Sequence, residues 1–313
     1  MSDSRALLWV LGTVVVLVVG GILVWRSRIA PSETRAEAFR PARRPAPAHK
    51  PRTPQSGGEN WQFYFARVND SIASLFVDLG RRAAAPDATL PVVLWAHVKM
   101  RKPRPDGLSS SEEAPELIRL EDALAASVRK AAGAQLVGRI TSAGYREYYF
   151  YGPRAKGFEP AVAATLRDFA GYEAETGSKD DAAWSQYLEV LYPTPADLQR
   201  IQNQGVYEAL RKEGDDPSIR RVVAHWAYFP SAKSREAFVT RAVAAGYREV
   251  VAARSERDGQ FGVELEMEST TADAEMDPAT VELAAWAAEL GGDYDGWETS
   301  VEKQGGATGR EPR

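Results

Sequence analysis

Twenty consecutive positions near the start of the chain, Ala6 to Trp25, carry no charge. At about 1.5 Å of rise per residue, such a run covers roughly 30 Å, the hydrocarbon core of a bilayer, and predicts a transmembrane helix. Trp9 and Trp25 lie near its ends, where indoles favour the interface. Arg26 and Arg28 follow at once, and six more basic residues up to Arg52 outweigh Glu33 and Glu37. Basic flanks stay cytoplasmic, so the pattern expects a single-pass protein of the inner membrane with its soluble part in the cytoplasm. The rival reading is a cleaved signal peptide, but the run is long for one and no small-x-small site follows. Residues 1–28 are then tail and anchor. Residues 29–60, rich in proline, alanine and arginine, read as a disordered tether with too little apolar surface for a core.

From Trp61 the pattern becomes that of a folded domain, residues 61–193. Two apolar segments in "WQFYFARVNDSIASLFVDLG" flank "ND" and predict a hairpin. "LPVVLWAHVKM" reads as a buried strand. Leu117, Leu120, Leu124 and Val128 recur at helical spacing, with Gly133 to close the helix. A second hairpin surrounds "TSAG", and a helix is expected from about Pro160 to Ala170. A second domain, 194–303, opens on a helix after Pro195 and then repeats the order more fully. "RRVVAHWAYF" is a strand. "SREAFVTRAVAAG" is a helix with Phe238, Val239, Ala242 and Val243 on one face and Gly246 after its end. "YREVVAAR" and "QFGVELEME" are strands, and "DPATVELAAWAAELGG" is a helix with Asp277 as N-cap and Pro278 at its first position. "DYDGWETSVE" is the last strand, and 304–313 a disordered tail. The expected fold class is α+β: a transmembrane helix followed by two ferredoxin-like plaits of the split βαβ type. "AGYRE" occurs at 143–147 and 245–249 but falls in different elements, so it marks no repeat.

Composition narrows the chemistry. The chain has no cysteine, which excludes disulfides, thiolate nucleophiles and cysteine-based metal sites. His49, His97 and His225 are its only histidines, and no two stand at ligand spacing. No phosphate-cradling glycine loop or nucleophile elbow is present. Neither a catalytic residue nor a metal or cofactor is expected. Arg101, Lys102 and Arg104 form a basic loop, a weak candidate for lipid or RNA contact.

The motifs "GDDPSIRRVVAHWAYFPS", "AGYREV", "DGQFGVELEMES" and above all "GGDYDGWETSVE" lie between Pro195 and Glu302. That segment resembles the RraB family, protein regulators of ribonuclease E activity. Trp61 to Pro193 carries "WQFYFARVND", "FVDLG", "VKMRKPRPDGL", "GYREYYFY" and "DAAWSQYLEVLYP". It is similar to the bacterial domain of unknown function six-nine-five, which occurs fused ahead of RraB-like domains. The resemblance implies a regulator that binds a ribonuclease and restrains RNA turnover, without catalysis of its own. The span and the extra domain depart from short soluble RraB members, and no interface residue carries over.

Charge supplies a candidate surface. From Glu256 to Glu302 fourteen acids stand against one base, Arg257. Such a surface repels nucleic acid, so no direct nucleic-acid contact is expected, and it attracts a basic protein segment, with ribonuclease E the partner that the resemblance implies. Strand alternation sends Val263, Leu265 and Met267 to one face and Glu264, Glu266 and Glu268 to the other, the open face of a two-layer plait or its edge, where they form either a partner site or a solvated face that discourages aggregation. Asp293, Tyr294, Asp295, Trp297 and Glu298 join the candidate partner site. For Tyr294 and Trp297 two readings stand: they pin the last strand to the core, or they offer exposed aromatic surface between carboxylates. A different class of function, an enzyme or small-ligand sensor using a pocket in the first domain, requires converging polar groups there.

Overall fold

The computed structural model describes residues 58–68, 70–250, 255–257 and 259–303, together with 18–19 and 22–23. The predicted span and tether lie outside the described residues apart from β1 (Val18–Val19) and β2 (Ile22–Leu23), which pair antiparallel, and 58–60, where Asn60 of the expected tether is hydrogen-bonded to Asp78 and Leu79. No helix among the described residues is long and apolar enough to cross a membrane. The fold is mixed α+β with two antiparallel sheets of five and six strands, one in each of two compact units.

The first unit runs from Arg52 to Ile201. It opens on the expected hairpin of β3 (Trp61–Val68) and β4 (Ser71–Asp78), turned at Asp70 with φ of 62°. Then follow β5 (Val92–Lys99), α1 (Ala114–Ala132), β6 (Gln135–Ser142), β7 (Tyr145–Gly152), α2 (Phe158–Leu166) and β8 (Ala174–Asp180). The strand order is β3-β4-β6-β7-β5-β8, so the hairpin extends one side of a βαββαβ unit. Leu117, Leu120, Leu124 and Val128 of α1 are all fully buried against Leu94, Ala96, Val98, Tyr148 and Phe150 of the sheet. Each such side chain contributes about 1.5–3 kcal/mol relative to an exposed one.

Two features depart from the sequence-based expectation. The strand β8, "AETGSKD", is polar and mostly exposed, so it carries no apolar alternation; its pairing with β5 over seven residues makes it a strand. The sheet is also covered on both faces. Opposite the helices, Trp184, Tyr187 and Leu191, in and beside a π-helical turn (Gln186–Leu191), pack on Val77, Val93, Val137 and Tyr151. Leu198 and Ile201 add to that second core.

The second unit comprises Gln202 onward among the described residues. Its elements are the end of α3 (Pro195–Lys212), β9 (Arg221–Phe229), α4 (Ala232–Ala244), β10 (Arg248–Glu249), β11 (Ser255–Arg257), β12 (Gln260–Ser269), α5 (Asp273–Glu289) and β13 (Asp293–Thr299). The order is β10-β12-β9-β13, with β11 also on β12. Alternate residues of β9, among them Val223, Ala227 and Phe229, meet Phe238 and Ala242 of α4, Met276, Leu283 and Ala287 of α5, and Val206 and Leu210 of α3.

Three expectations need correction here. Val243 is half exposed, because the buried face of α4 ends at Ala242. The strand predicted over "YREVVAAR" is formed at Arg248–Glu249, and residues 251–254 lie outside those described. The last helix begins at Asp273 with Ala272 as N-cap, so Pro278 sits inside it. The added turn buries Met276, and Asp277 is not a cap: its carboxylate accepts from Asn203 Nδ2 at 2.7 Å and the Tyr207 hydroxyl at 2.8 Å.

Candidate functional site

The register of the second sheet assigns every candidate residue to a face. Val263, Leu265 and Met267 pair with Ala227, His225 and Val223 on the helix-covered face. Glu264, Glu266 and Glu268 pair with Trp226, Ala224 and Val222 on the other, as alternation expects. On the opposite flank Gly296 pairs with Trp226 and Glu298 with Ala224. The face away from the helices therefore has a central stripe of Val222, Ala224 and Trp226, flanked by Glu266 and Glu268 on one side and Glu298 on the other, while Glu264 and Tyr228 in the same phase are buried. Val222 is 47% exposed and Trp226 partly so. The phase of "VVAHWAY" contains this stripe; it becomes readable once His225 is known to face inward.

The carboxylates on that face differ. Glu268 is exposed. Glu266 is partly buried and pairs with Arg248 across from β10. Glu264 is only 1% exposed, so it is not part of an open acidic surface despite its phase. Asp293 and Asp295 are exposed on the edge strand β13, where the ladder bulges at Asp295. The bulge places Gly296 at φ of 116°, a left-handed conformation that glycine adopts without a Cβ penalty.

Tyr294 and Trp297 belong to the core, and the bulge puts both on the helix side despite their odd spacing. The Tyr294 hydroxyl lies 2.7 Å from His225 Nδ1. Burial pushes that phenol well above its usual pKa and lowers the imidazole to about 3, so His225 is neutral. Trp297 donates from Nε1 to Asn203 Oδ1 at 3.0 Å, and Asn203 donates to Asp277 and to Thr280 Oγ1. The helix-to-strand turn is equally tight: a Cβ at Gly292 would stand 2.3 Å from the Phe229 ring, so only glycine fits. The reading of these aromatics as an exposed interface is thus replaced by the reading in which they pin β13.

The first unit offers a smaller feature. His97 Nδ1 lies 2.5 Å from Glu147 Oε1, and the Tyr149 hydroxyl donates to the other carboxylate oxygen. Glu147 and Tyr149 border a cleft of about 170 Å³ with Val93, Trp95, Lys179 and Gln186. Ligand sites usually span roughly 300–1,000 Å³; this cleft is below that range, and a second one of about 330 Å³ lined by Lys99, Met100, Arg101, Gly171 and Glu173 stands at its lower end. The basic loop is internally neutralised. Arg101 pairs with Glu116, Lys102 with Glu112, and Arg104 with Asp106. Glu113 closes the same loop by accepting the Arg101 and Lys102 amides at 2.7 Å each and the Tyr172 hydroxyl at 2.9 Å. Burial favours its neutral form, but these hydrogen bonds together with Arg101 hold its carboxyl below the usual range. Among the described residues no three His, Asp or Glu side chains gather as metal ligands.

No curated protein matches the chain at significant similarity. Family models match both units and agree with the two resemblances seen in the sequence. At the family level the second unit stands with regulators of ribonuclease activity. The chain joins a segment, residues 59–192, that matches the family of unknown function DUF695 to a segment, residues 200–299, that matches Regulator of ribonuclease activity B (RraB).

Proposed function

We propose that this chain is a membrane-anchored regulator whose second unit binds a basic segment of ribonuclease E, or of a protein assembled with it, and restrains RNA cleavage. The observation that carries the reading is the face of the second sheet away from its helices, where a partly exposed apolar stripe of Val222, Ala224 and Trp226 lies between Glu266, Glu268 and Glu298. A partly apolar basic peptide fits it: aliphatic and aromatic side chains on the stripe, arginines and lysines toward the carboxylates. In this reading the second unit is a plait of the ferredoxin type whose helices α3, α4 and α5 pack on one sheet face, and the partner takes the other. The anchor is the uncharged run Ala6–Trp25. In hydrocarbon a helix pairs all of its backbone polar groups, which supports a helical span as the form of this proposed anchor. The following arginines hold the soluble units in the cytoplasm.

The test is the kinetics of full-chain binding to purified ribonuclease E at two salt concentrations. Glu268→Lys with Glu298→Lys is expected to slow association and flatten its salt dependence, because screening acts within about 8 Å at physiological ionic strength. Trp226→Ala is expected to speed dissociation at least tenfold. Unchanged rates in both variants, with folding intact, would show that the partner does not use this face.

A further inference from the structure

The strand β3 lies at the end of the first sheet, and among the described residues no strand pairs with its outer edge. It runs for eight residues without proline and pairs with β4 in unbroken register. Phe63 and Phe65 on it are 50% and 53% exposed, their rings 6.1 Å apart, and Ile72 across the ladder from Arg67 is also exposed. Natural sheets blunt their edges with charge, bulges or brevity, and the other edges here follow that rule. The opposite edge, β8, exposes Glu175, Lys179 and Asp180. In the second unit β13 has a bulge and two exposed aspartates, and β10 and β11 are two and three residues long. Such a strand as β3, aromatic and long, is a liability unless something pairs with it.

The hydrogen-bond phase of β3 says what fits. The Leu79 amide donates to the Asn60 carbonyl at 2.8 Å, at the head of the β3–β4 ladder. In an antiparallel ladder hydrogen-bonded pairs alternate with non-bonded ones, so even-numbered residues point their backbone groups at β4. The outward amides and carbonyls therefore belong to Trp61, Phe63, Phe65 and Arg67, the residues whose side chains share the exposed face. A second β3 related by a two-fold axis through Tyr64 engages all four on each copy. Trp61 then stands opposite Arg67 of the other copy and Phe63 opposite Phe65, each pair exchanging two hydrogen bonds. The aromatic stripes of both copies fall on the same side of the sheet. The lone cation of the strand meets an indole and not another cation. An outside partner has no comparable handle, since Arg67 is the only charge on the strand.

We infer that β3 is a self-association edge, through which two copies of this chain join their first units into one twelve-stranded antiparallel sheet centred on Tyr64. The chain contains no cysteine, which gives a direct test of register. Paired Cα atoms in a hydrogen-bonded antiparallel pair lie about 5.5 Å apart, within disulfide reach. Phe63→Cys and Phe65→Cys full-length chains, mixed and oxidised in detergent, are expected to give a covalent dimer that neither variant gives alone. Sedimentation supplies the second arm. The natural chain is expected to dimerise with concentration, Phe63→Lys/Phe65→Lys to lose the dimer with its melting temperature retained, and Phe63→Glu/Phe65→Lys to regain it through Glu–Lys pairs across the axis. A natural chain that stays monomeric at all concentrations overturns the inference. So does a dimer indifferent to both double variants, or cross-linking as efficient in the homotypic samples. If the monomer instead binds anionic vesicles through Phe63 and Phe65, the edge serves the membrane and the self-association reading is wrong.

Discussion

Trp297 shows how much a single side chain depends on one backbone irregularity. With simple alternation from Tyr294 it would share the exposed face of Asp293 and Asp295; the bulge at Asp295 turns it inward onto Tyr207, Val223 and Met276. Trp297→Ala is therefore expected to cost about 3–5 kcal/mol and to remove the hydrogen bond to Asn203 Oδ1, enough to unfold a marginal domain. Chemical denaturation measures it, and a variant with unchanged stability would return Trp297 to the surface. His225 makes a second prediction. Burial depresses its folded pKa to about 3 from 6.5, so between those values the unfolded chain holds a proton that the folded one does not. Stability conferred by the neutral ring is complete above about pH 6.5 and falls as the pH is lowered through the window, by at most about 1.4 kcal/mol per pH unit. His225→Gln preserves an acceptor for Tyr294 and removes that proton uptake. Its stability relative to the natural chain should rise as urea titrations move from pH 7 toward pH 4; parallel curves would mean that His225 does not titrate as described.

At the level of elements, periodicity served wherever one face is buried against apolar neighbours. The β3–β4 hairpin, β5, α1, the β6–β7 hairpin, β9, α4 and β12 all sit where alternation or helical spacing puts them, within a few residues. The failures share a cause. The strand β8 exists because β5 offers it a ladder, and its own residues, Glu175, Gly177 and Lys179 among them, hold no hydrophobic signal. The start of α5 was masked by the Asp-Pro pair at 277–278, a good local N-terminus, yet burial of Met276 outweighs the hydrogen bond that Pro278 lacks. Alternation also assigns a side without assigning an environment: Glu264 and Glu268 share a face, and one is buried while the other is exposed.

For the whole molecule, the proposed orientation predicts where a terminal reporter works. A reporter that functions only in the cytoplasm, fused after Arg313, is expected to be active, and activity of a periplasm-only reporter at the same place would reverse the orientation. The amino-acid sequence by itself determined the anchor candidate, the order of elements in both units apart from β8, the two family resemblances and the acidity of Glu256–Glu302, because each is written in local periodicity, composition or contiguous motif. Only the tertiary structure decided which carboxylates and aromatics face solvent. It moved Tyr294 and Trp297 into the core, brought Trp226 to the candidate surface, paired the basic loop with its own acids and left β3 as an edge among the described residues. The reason is physical. Burial and pairing are made by residues distant in the chain, and a bulge or an added strand changes them without altering any local pattern that a sequence displays.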